Sequence, residues 1–274
     1  MRGFIRMSKP VLTLKISVFL ALLVIFNCSL SGFCDSRELK SEHFIINYDD
    51  SVQYSYAPGV KKTAERLYRL ITQEFNLIRD KLWVWDNRAE IFIASGREDY
   101  LSRYGCSPWS TACVNYRQKV IYTYPDQSDF EPILAHELTH IIFREYLGRN
   151  NLPLWLDEGM AVYIEDKYRN GLYRKNLFIL KDLIKEDGYI DFRHLNEITS
   201  SGLGGQPTDY AKIFYIQSYS IIYFIFQEYG KSNFSRFLWH LKNDKDVQSA
   251  LSRTYYYLTD LEALEKRWKE FYLE

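Results

Sequence analysis

The hydrophobic residues of this chain follow different spacings in its first and second halves. Short β-rich runs at 42–48, 89–94, 110–115 and 120–124 predict strands, with a helix opening near Pro58. From Asp129 onward the apolar positions recur at helical spacing. Strands first and helices second predict an α+β fold, in which a small N-terminal β-sheet with helices precedes a helical C-terminal part.

The second half is predicted to be almost entirely helical. Gly148 and Gly230 are expected to end helices, because glycine readily adopts the left-handed conformation found there. The glycine-rich run at 200–205 predicts a loop. We expect the parts 35–128 and 129–274 to pack together as one unit. The predicted helices cover 130–147, 153–168, 175–187, 208–229, 233–242, 245–253 and 259–272.

The first 34 residues form a separate leader. Four basic residues and no acid precede an apolar run at 16–26, and small residues follow it. This order is typical of a secretory signal peptide. An uncleaved membrane tether through residues 16–33 is the alternative, since that span is near the lower length limit for crossing a bilayer. Both interpretations predict export, to the periplasm or the extracellular space.

Charge and cysteine content narrow the class of protein. The whole chain has 35 basic and 35 acidic residues, so removal of the basic leader leaves an excess of acids. This balance argues against a nucleic-acid partner. Beyond the leader only Cys106 and Cys113 remain, and an oxidising compartment predicts a disulfide between them. Two free thiols are the alternative.

The segment His136-Glu137-Leu138-Thr139-His140 carries the clearest chemistry. On a helix, residues four apart share a face, so both imidazoles can bind one metal ion. Glu137 can then accept a proton from a water at the open metal position. The surrounding residues are apolar and predict a buried helix, in which unpaired polar groups would be unfavourable.

A catalytic zinc needs a third protein ligand, and Glu158 is the candidate. It lies on a predicted second helix that begins at Pro153 and returns towards the first. Gly159 is expected to let this helix approach the metal-binding helix closely. Glu165, two turns further along the same face, is predicted to hold a ligand imidazole by its far nitrogen. An ordinary solvated charge is the alternative for Glu165.

The two motifs resemble those of the gluzincin metallopeptidases. The first motif, followed by Trp-Leu-Asp-Glu-Gly-Met-Ala at 155–161, is most similar to the small peptidase MA-like branch. It is more distantly similar to the M1 aminopeptidases, whose second motif has Asn where this chain has Asp157. The resemblance implies a zinc ion bound by His136, His140 and Glu158, with Glu137 as the general base.

The resemblance to M1 enzymes includes one tyrosine but does not include their substrate-binding strand glutamate. Tyr215 matches the tyrosine that stabilises the oxyanion in M1 enzymes, with Tyr219 one turn later as the second candidate. M1 enzymes also carry a strand glutamate that captures the substrate amine, but the corresponding stretch 110–115 has no acid. This difference favours an endopeptidase over an aminopeptidase. A strand there is expected to bind an extended peptide along its edge.

The sequence therefore predicts a zinc metallopeptidase that acts on a peptide or protein substrate. A non-catalytic or partner-specific zinc-binding module of the cell envelope is the alternative. The intact Glu137 argues against it, because loss of the general base is the simplest route to an inactive site. The remaining histidines, His43, His194 and His240, have no partner at a ligand spacing and are interpreted as structural.

Overall fold

Branched and aromatic residues form one mixed five-stranded sheet in the part of the chain that the computed structural model describes, namely residues 36–77, 82–106, 110, 112–125, 129–148, 152–244 and 246–274. The strands are β1 (Ser36–Lys40), β2 (Phe44–Asp49), β3 (Ala89–Ile93), β4 (Ala112–Asn115) and β5 (Val120–Thr123). Their spatial order is β1-β2-β3-β5-β4. The leader, with both of its interpretations, lies outside the described residues.

The sheet ends in a hairpin at its β4 edge. Strands β2, β3 and β5 run parallel, whereas β4 is antiparallel to β5 and places Asn115 opposite Val120. The two predicted strands at 110–115 and 120–124 are therefore paired, and Lys119 in the turn between them adopts a positive φ of 58°. Cys106 and Cys113 form a disulfide that joins the segment after the second helix to β4.

Eleven helices are described, and they dominate the second half as predicted. Residues 37–274 form one unit. No helix among the described residues is both long enough and apolar enough to cross a bilayer. The helices are α1 (Tyr56–Glu74), α2 (Arg97–Tyr104), α3 (Phe130–Leu147), α4 (Leu154–Asp166), α5 (Leu172–Lys175), α6 (Ile179–Lys185), α7 (Phe192–Glu197), α8 (Ser200–Gly204), α9 (Thr208–Asp244), α10 (Val247–Thr254) and α11 (Leu261–Leu273).

Glycine ends two helices as predicted. Gly148 follows α3 with φ 80°, and Gly230 interrupts α9 with φ 76° and ψ 160°, so that α9 consists of two helices. Two expectations were wrong. The predicted helix at 175–187 is shortened to α6, since α5 ends at Lys175, and the predicted loop at 200–205 contains α8. In α8 the Thr199 hydroxyl accepts a hydrogen bond from the Gly202 N–H, which stabilises the first turn.

One apolar core joins the sheet to the helices. Buried side chains of β2 and β3, such as Phe44 and Ile91, belong to the same cluster as Trp155 of α4 and Phe214 of α9. Helix α4 packs between α3 and α9. The sheet and the helical part therefore hold α3 and α4, which carry the two sequence motifs, in fixed register.

Candidate metal centre

Helices α3 and α4 bring the two motifs together. The two imidazoles of α3 lie one turn apart on the face that α4 covers, and their Nε2 atoms are 3.1 Å apart. Glu158 of α4 reaches the same point, with its Oε2 atom 3.6 Å from the Nε2 atom of both His136 and His140. His136, His140 and Glu158 therefore form a cluster of potential metal ligands.

The separations of these three atoms suit a zinc ion. Zinc–ligand bonds of about 2.0–2.1 Å at tetrahedral angles place neighbouring ligand atoms about 3.3–3.4 Å apart. The distances of 3.1 and 3.6 Å bracket that value. Two nitrogens and one carboxylate oxygen are also a donor set that zinc enzymes use, with a fourth position left open.

A carboxylate supports each imidazole from behind. The Nδ1 atom of His136 is 2.8 Å from Oε2 of Glu165, and Nδ1 of His140 is 3.0 Å from Oδ1 of Asp157. A carboxylate beside Nδ1 favours the proton of a neutral imidazole on that nitrogen, so that each Nε2 presents a lone pair. Two lone pairs that face each other at this distance repel unless a cation lies between them. The cluster therefore fits a bound metal ion.

Asp157 was not among the site residues that the sequence motifs predict. Its side chain is 2% exposed, and its second oxygen accepts hydrogen bonds from Nε and Nη2 of Arg144 at 2.9 and 2.6 Å. The Arg144 guanidinium in turn lies over the ring of Tyr116, 3.9 Å from its centroid. The sequence does contain a signal for the role of Asp157. An acid lies beside Glu158 in an otherwise apolar helix, and Arg144, a possible partner, lies one turn after His140.

The carboxylates determine the charge of the cluster. Burial alone would lower the pKa of His136, but Glu158 and Glu165 outweigh it and raise the pKa to about 9. Burial likewise opposes a charged His140, and the nearby Asp157 and Glu158 raise its pKa well above the usual value. Against burial, the two imidazoles hold the pKa of Glu158 well below its ordinary range. The site therefore favours positive charge at its centre.

Glu137 is close to the cluster but is not one of its ligands. Burial raises the pKa of this carboxyl group, an effect that the neighbouring His136 and His140 oppose. The charge of Glu137 also contributes to the raised pKa of Tyr100, after the larger effect of burial. The Tyr100 hydroxyl is 2.8 Å from the Ser110 hydroxyl, which joins α2 to Ser110.

The two candidate tyrosines have different environments. Tyr219 is 2% exposed and donates its hydroxyl hydrogen to Asp166 at 2.9 Å. Tyr215 is partly exposed, and burial followed by the charge of Glu158 raises its pKa above the ordinary value. Tyr215 thus lies within electrostatic reach of the cluster, whereas the hydroxyl of Tyr219 is engaged with Asp166.

Gly159 makes a close contact on a different side from the one expected. A Cβ atom at this position would lie 2.6 Å from the carbonyl oxygen of Ser218 and 3.0 Å from Cγ1 of Ile222. Both neighbours belong to α9. The expected close approach of α4 to α3 at Gly159 was therefore wrong, because the glycine instead lets α9 approach α4 beside Glu158.

The histidines that were interpreted as structural have local partners. His43 donates its backbone N–H to Glu65 at 2.8 Å, and its Nδ1 atom is 2.7 Å from the same carboxylate. The Nε2 atom of His194 is 3.1 Å from the hydroxyl of Tyr210. Glu42, His43 and Glu65 also form a second His/Glu group, but both oxygens of Glu65 are already used by His43.

A known protein family matches more than half of the chain. The family described as the peptidase MA superfamily matches residues 111–274, more than half of the chain. The matched part includes β4, β5 and every helix from α3 onward, and so contains the whole cluster. No curated protein matches the chain.

Proposed function

The chain belongs to the peptidase MA superfamily, and on this premise we propose that it is a zinc-dependent endopeptidase. One observation carries the proposal. The Nε2 atoms of His136 and His140 face each other at 3.1 Å, each imidazole is backed by a carboxylate, and Glu158 lies 3.6 Å from both. This is the donor set of a catalytic zinc site with three protein ligands.

When bound, zinc supplies Lewis acidity that polarises a substrate carbonyl and makes a water molecule more acidic. Glu137 accepts the proton of that water and returns it to the leaving amine. Its raised pKa suits the role, because a general base works best when its pKa is near the working pH. The Tyr215 hydroxyl donates a hydrogen bond to the developing oxyanion, and its raised pKa keeps it protonated.

The β4 edge supports internal cleavage of an extended chain. Strand β4 has β5 on one side and is last in the strand order of the described sheet. Its residues, Ala112–Asn115, include no acid that would bind a free substrate amine. An extended peptide can therefore add to this edge through main-chain hydrogen bonds, and no group on the strand requires the free N-terminus of the peptide.

The test combines metal content with peptide cleavage. Purified protein is analysed for zinc and then incubated with casein and a peptide library, with and without a chelator. Glu137→Gln should retain zinc and lose at least about 100-fold in turnover, because it removes the general base. His140→Ala should lose zinc. Glu131→Gln, at the start of the same helix and outside the cluster, is the matched control and should retain both.

Two outcomes contradict this function. Full turnover by Glu137→Gln would remove the assigned base. Stoichiometric zinc without cleavage of any peptide would favour the alternative, a zinc-binding module of the cell envelope that recognises a partner.

We further propose that the protein is exported, to the periplasm or the extracellular space. The basic and apolar leader supports this, and so does the disulfide between Cys106 and Cys113, since disulfides persist in oxidising compartments. N-terminal sequencing of the mature protein separates a cleaved leader from a tether through residues 16–33. A mature protein that stays in the cytoplasm would contradict export.

A further inference from the structure

A groove lies between α6 and the first turns of α9, with a volume of about 750 Å³. Its walls are mainly apolar: Ile179 and Leu183 come from one side, and Ala211, Ile213 and Ile216 from the other. Ile216 is buried and the other four are partly exposed. A groove of this size and lining suits a large aliphatic or aromatic side chain.

The mouth of the groove is acidic. Asp182 and Glu186 of α6 and Asp209 of α9 line it, and all three are exposed. The one basic residue of the lining, Lys212, is paired with Asp209 at 3.0 Å. The mouth therefore carries net negative charge, which attracts a cationic group next to the apolar one.

The inner end of the groove adjoins the metal centre. Tyr215 and Tyr173 both line the groove. Ser218, one turn after Tyr215 on α9, lies against Gly159, the residue next to Glu158 on α4. The Tyr215 end of the groove therefore lies beside the part of α4 that carries Glu158.

Asp166, the last residue of α4, fixes the inner wall. Its side chain is 4% exposed and accepts hydrogen bonds from the Tyr173 N–H at 2.7 Å and the Tyr219 hydroxyl at 2.9 Å. These bonds join the start of α5 and the middle of α9 to the helix that carries Glu158. The groove wall is therefore held in a fixed position relative to the metal ligands.

We propose that this groove is the substrate subsite that selects a large apolar residue, such as Leu or Phe, with Lys or Arg next to it in the peptide. The proposal rests on the proposed peptidase function and names its substrate class. The apolar walls supply the first preference and the acidic mouth supplies the second.

Binding is measured first, so that the result does not depend on turnover. The probes are ten-residue Gly/Ser peptides with one central pair, Leu-Lys, Ala-Lys, Leu-Glu or Phe-Arg. Each is titrated by calorimetry into zinc-loaded full-length Glu137→Gln protein. Leu-Lys should bind at least about tenfold more tightly than Ala-Lys, because the leucine side chain buries more apolar surface in the groove than alanine does. It should bind about two- to fivefold more tightly than Leu-Glu, through exposed and salt-sensitive charges.

Variants of the groove should remove each preference separately. Ala211→Phe fills the groove and should abolish the preference for Leu-Lys over Ala-Lys. Ile213→Asn makes the wall polar and should reduce the same preference, and it serves if Ala211→Phe does not fold. Asp182→Lys with Glu186→Lys should reverse the charge preference. Glu228→Lys with Glu274→Lys changes the net charge equally at exposed positions outside the groove lining and should have no effect.

The outcomes separate this proposal from the function on which it rests. Equal binding of all four peptides, or no binding of any, overturns the subsite. Preferences that Ala211→Phe and Ile213→Asn both leave unchanged overturn it too. If the selected peptides bind as expected but the unmodified protein cleaves none of them, the peptidase function fails and the subsite stands.

Discussion

At the scale of single residues, each imidazole of the candidate metal centre lies against a carboxylate of α4. Glu165 holds His136, and Asp157 holds His140. The two supports differ in their surroundings. Asp157 is almost fully buried and shared with Arg144, while Glu165 is joined by Arg169 from the following turn. The negative charge of each supporting carboxylate is thus paired with the positive charge of an arginine.

Asp157→Asn should weaken zinc binding by about 10- to 100-fold, because the amide supports the Nδ1 proton of His140 less strongly and leaves Arg144 without its partner. Competition against a coloured zinc chelator measures the change. Glu197→Gln, an exposed residue lining the cavity next to Asp157, is the control and should bind zinc normally. Unchanged affinity in Asp157→Asn would show that Asp157 does not position the ligand.

The sequence predicted these residues unequally, for a physical reason. His136, His140 and Glu137 follow from helical geometry alone, since a spacing of four residues defines one face. Glu165 followed from its spacing of two turns after Glu158. The role of Asp157 depends on how α4 is rotated against α3. That rotation is determined by tertiary packing, which no local pattern reports.

At the scale of elements, the approach of α9 to α4 positions Glu158, the proposed third ligand. Gly159, next to Glu158, has the Ser218 carbonyl where a Cβ atom would be. The helices can approach this closely only because the residue has no side chain. The separation of α4 and α9 and the position of Glu158 are therefore linked.

Gly159→Ala should destabilise the protein by about 1–3 kcal/mol, since the new methyl group overlaps a backbone atom that has no freedom to rotate away. Zinc affinity should fall as well, because α4 moves with Glu158. Thermal unfolding and chelator competition measure the two effects. Gly59→Ala, at an exposed helical position with open space around it, should leave both unchanged or slightly raise stability. A stable Gly159→Ala protein with normal zinc affinity would contradict this account.

Long elements were easier to predict than short ones. The bounds of α3 match the prediction because a long apolar period ends at Gly148. The helices α7 and α8 have six and five residues, too few for a helical period to show. Their caps are local instead: the side chain of Asp191 accepts from the His194 N–H, and Thr199 accepts from Gly202.

At the scale of the whole molecule, Glu74 joins three helices. It lies at the end of α1 and pairs with Lys167, just after α4, at 2.7 Å and with Lys231 of α9 at 2.6 Å. Tyr163 of α4 also donates its hydroxyl hydrogen to this carboxylate at 3.3 Å. The contact ties the first helix to the helices around the metal centre.

Stability should fall with acid partly through Glu74. Burial would raise its pKa, but the two lysines outweigh burial and lower it. A carboxyl group whose folded pKa is lowered stabilises above its unfolded pKa of about 4.3 and loses that contribution as the pH falls through the folded value. Glu74→Gln should lower stability at pH 7 by about 1–3 kcal/mol. Its unfolding free energy should depend less steeply on pH below about 4.3, as urea unfolding at several pH values would show.

Metal removal should destabilise the whole protein, since α3 and α4 both supply ligands. Zinc at 100 times its dissociation constant adds about 2.7 kcal/mol, so a chelator should lower the Tm by several degrees. His140→Ala should unfold at the same temperature with and without chelator. A chelator effect of equal size in both proteins would mean that zinc acts elsewhere.

The position of Tyr116 has a consequence for thermodynamic coupling. This residue directly follows β4, its ring lies 5.6 Å from the ring of His140, and it carries the Arg144 guanidinium on its face. Tyr116 thus connects the β4 edge to His140, a proposed metal ligand. If a peptide binds this edge more tightly when zinc is present, the bound peptide must raise the affinity for zinc by the same factor. Substrate would then protect the enzyme from losing its metal, most of all when zinc is scarce.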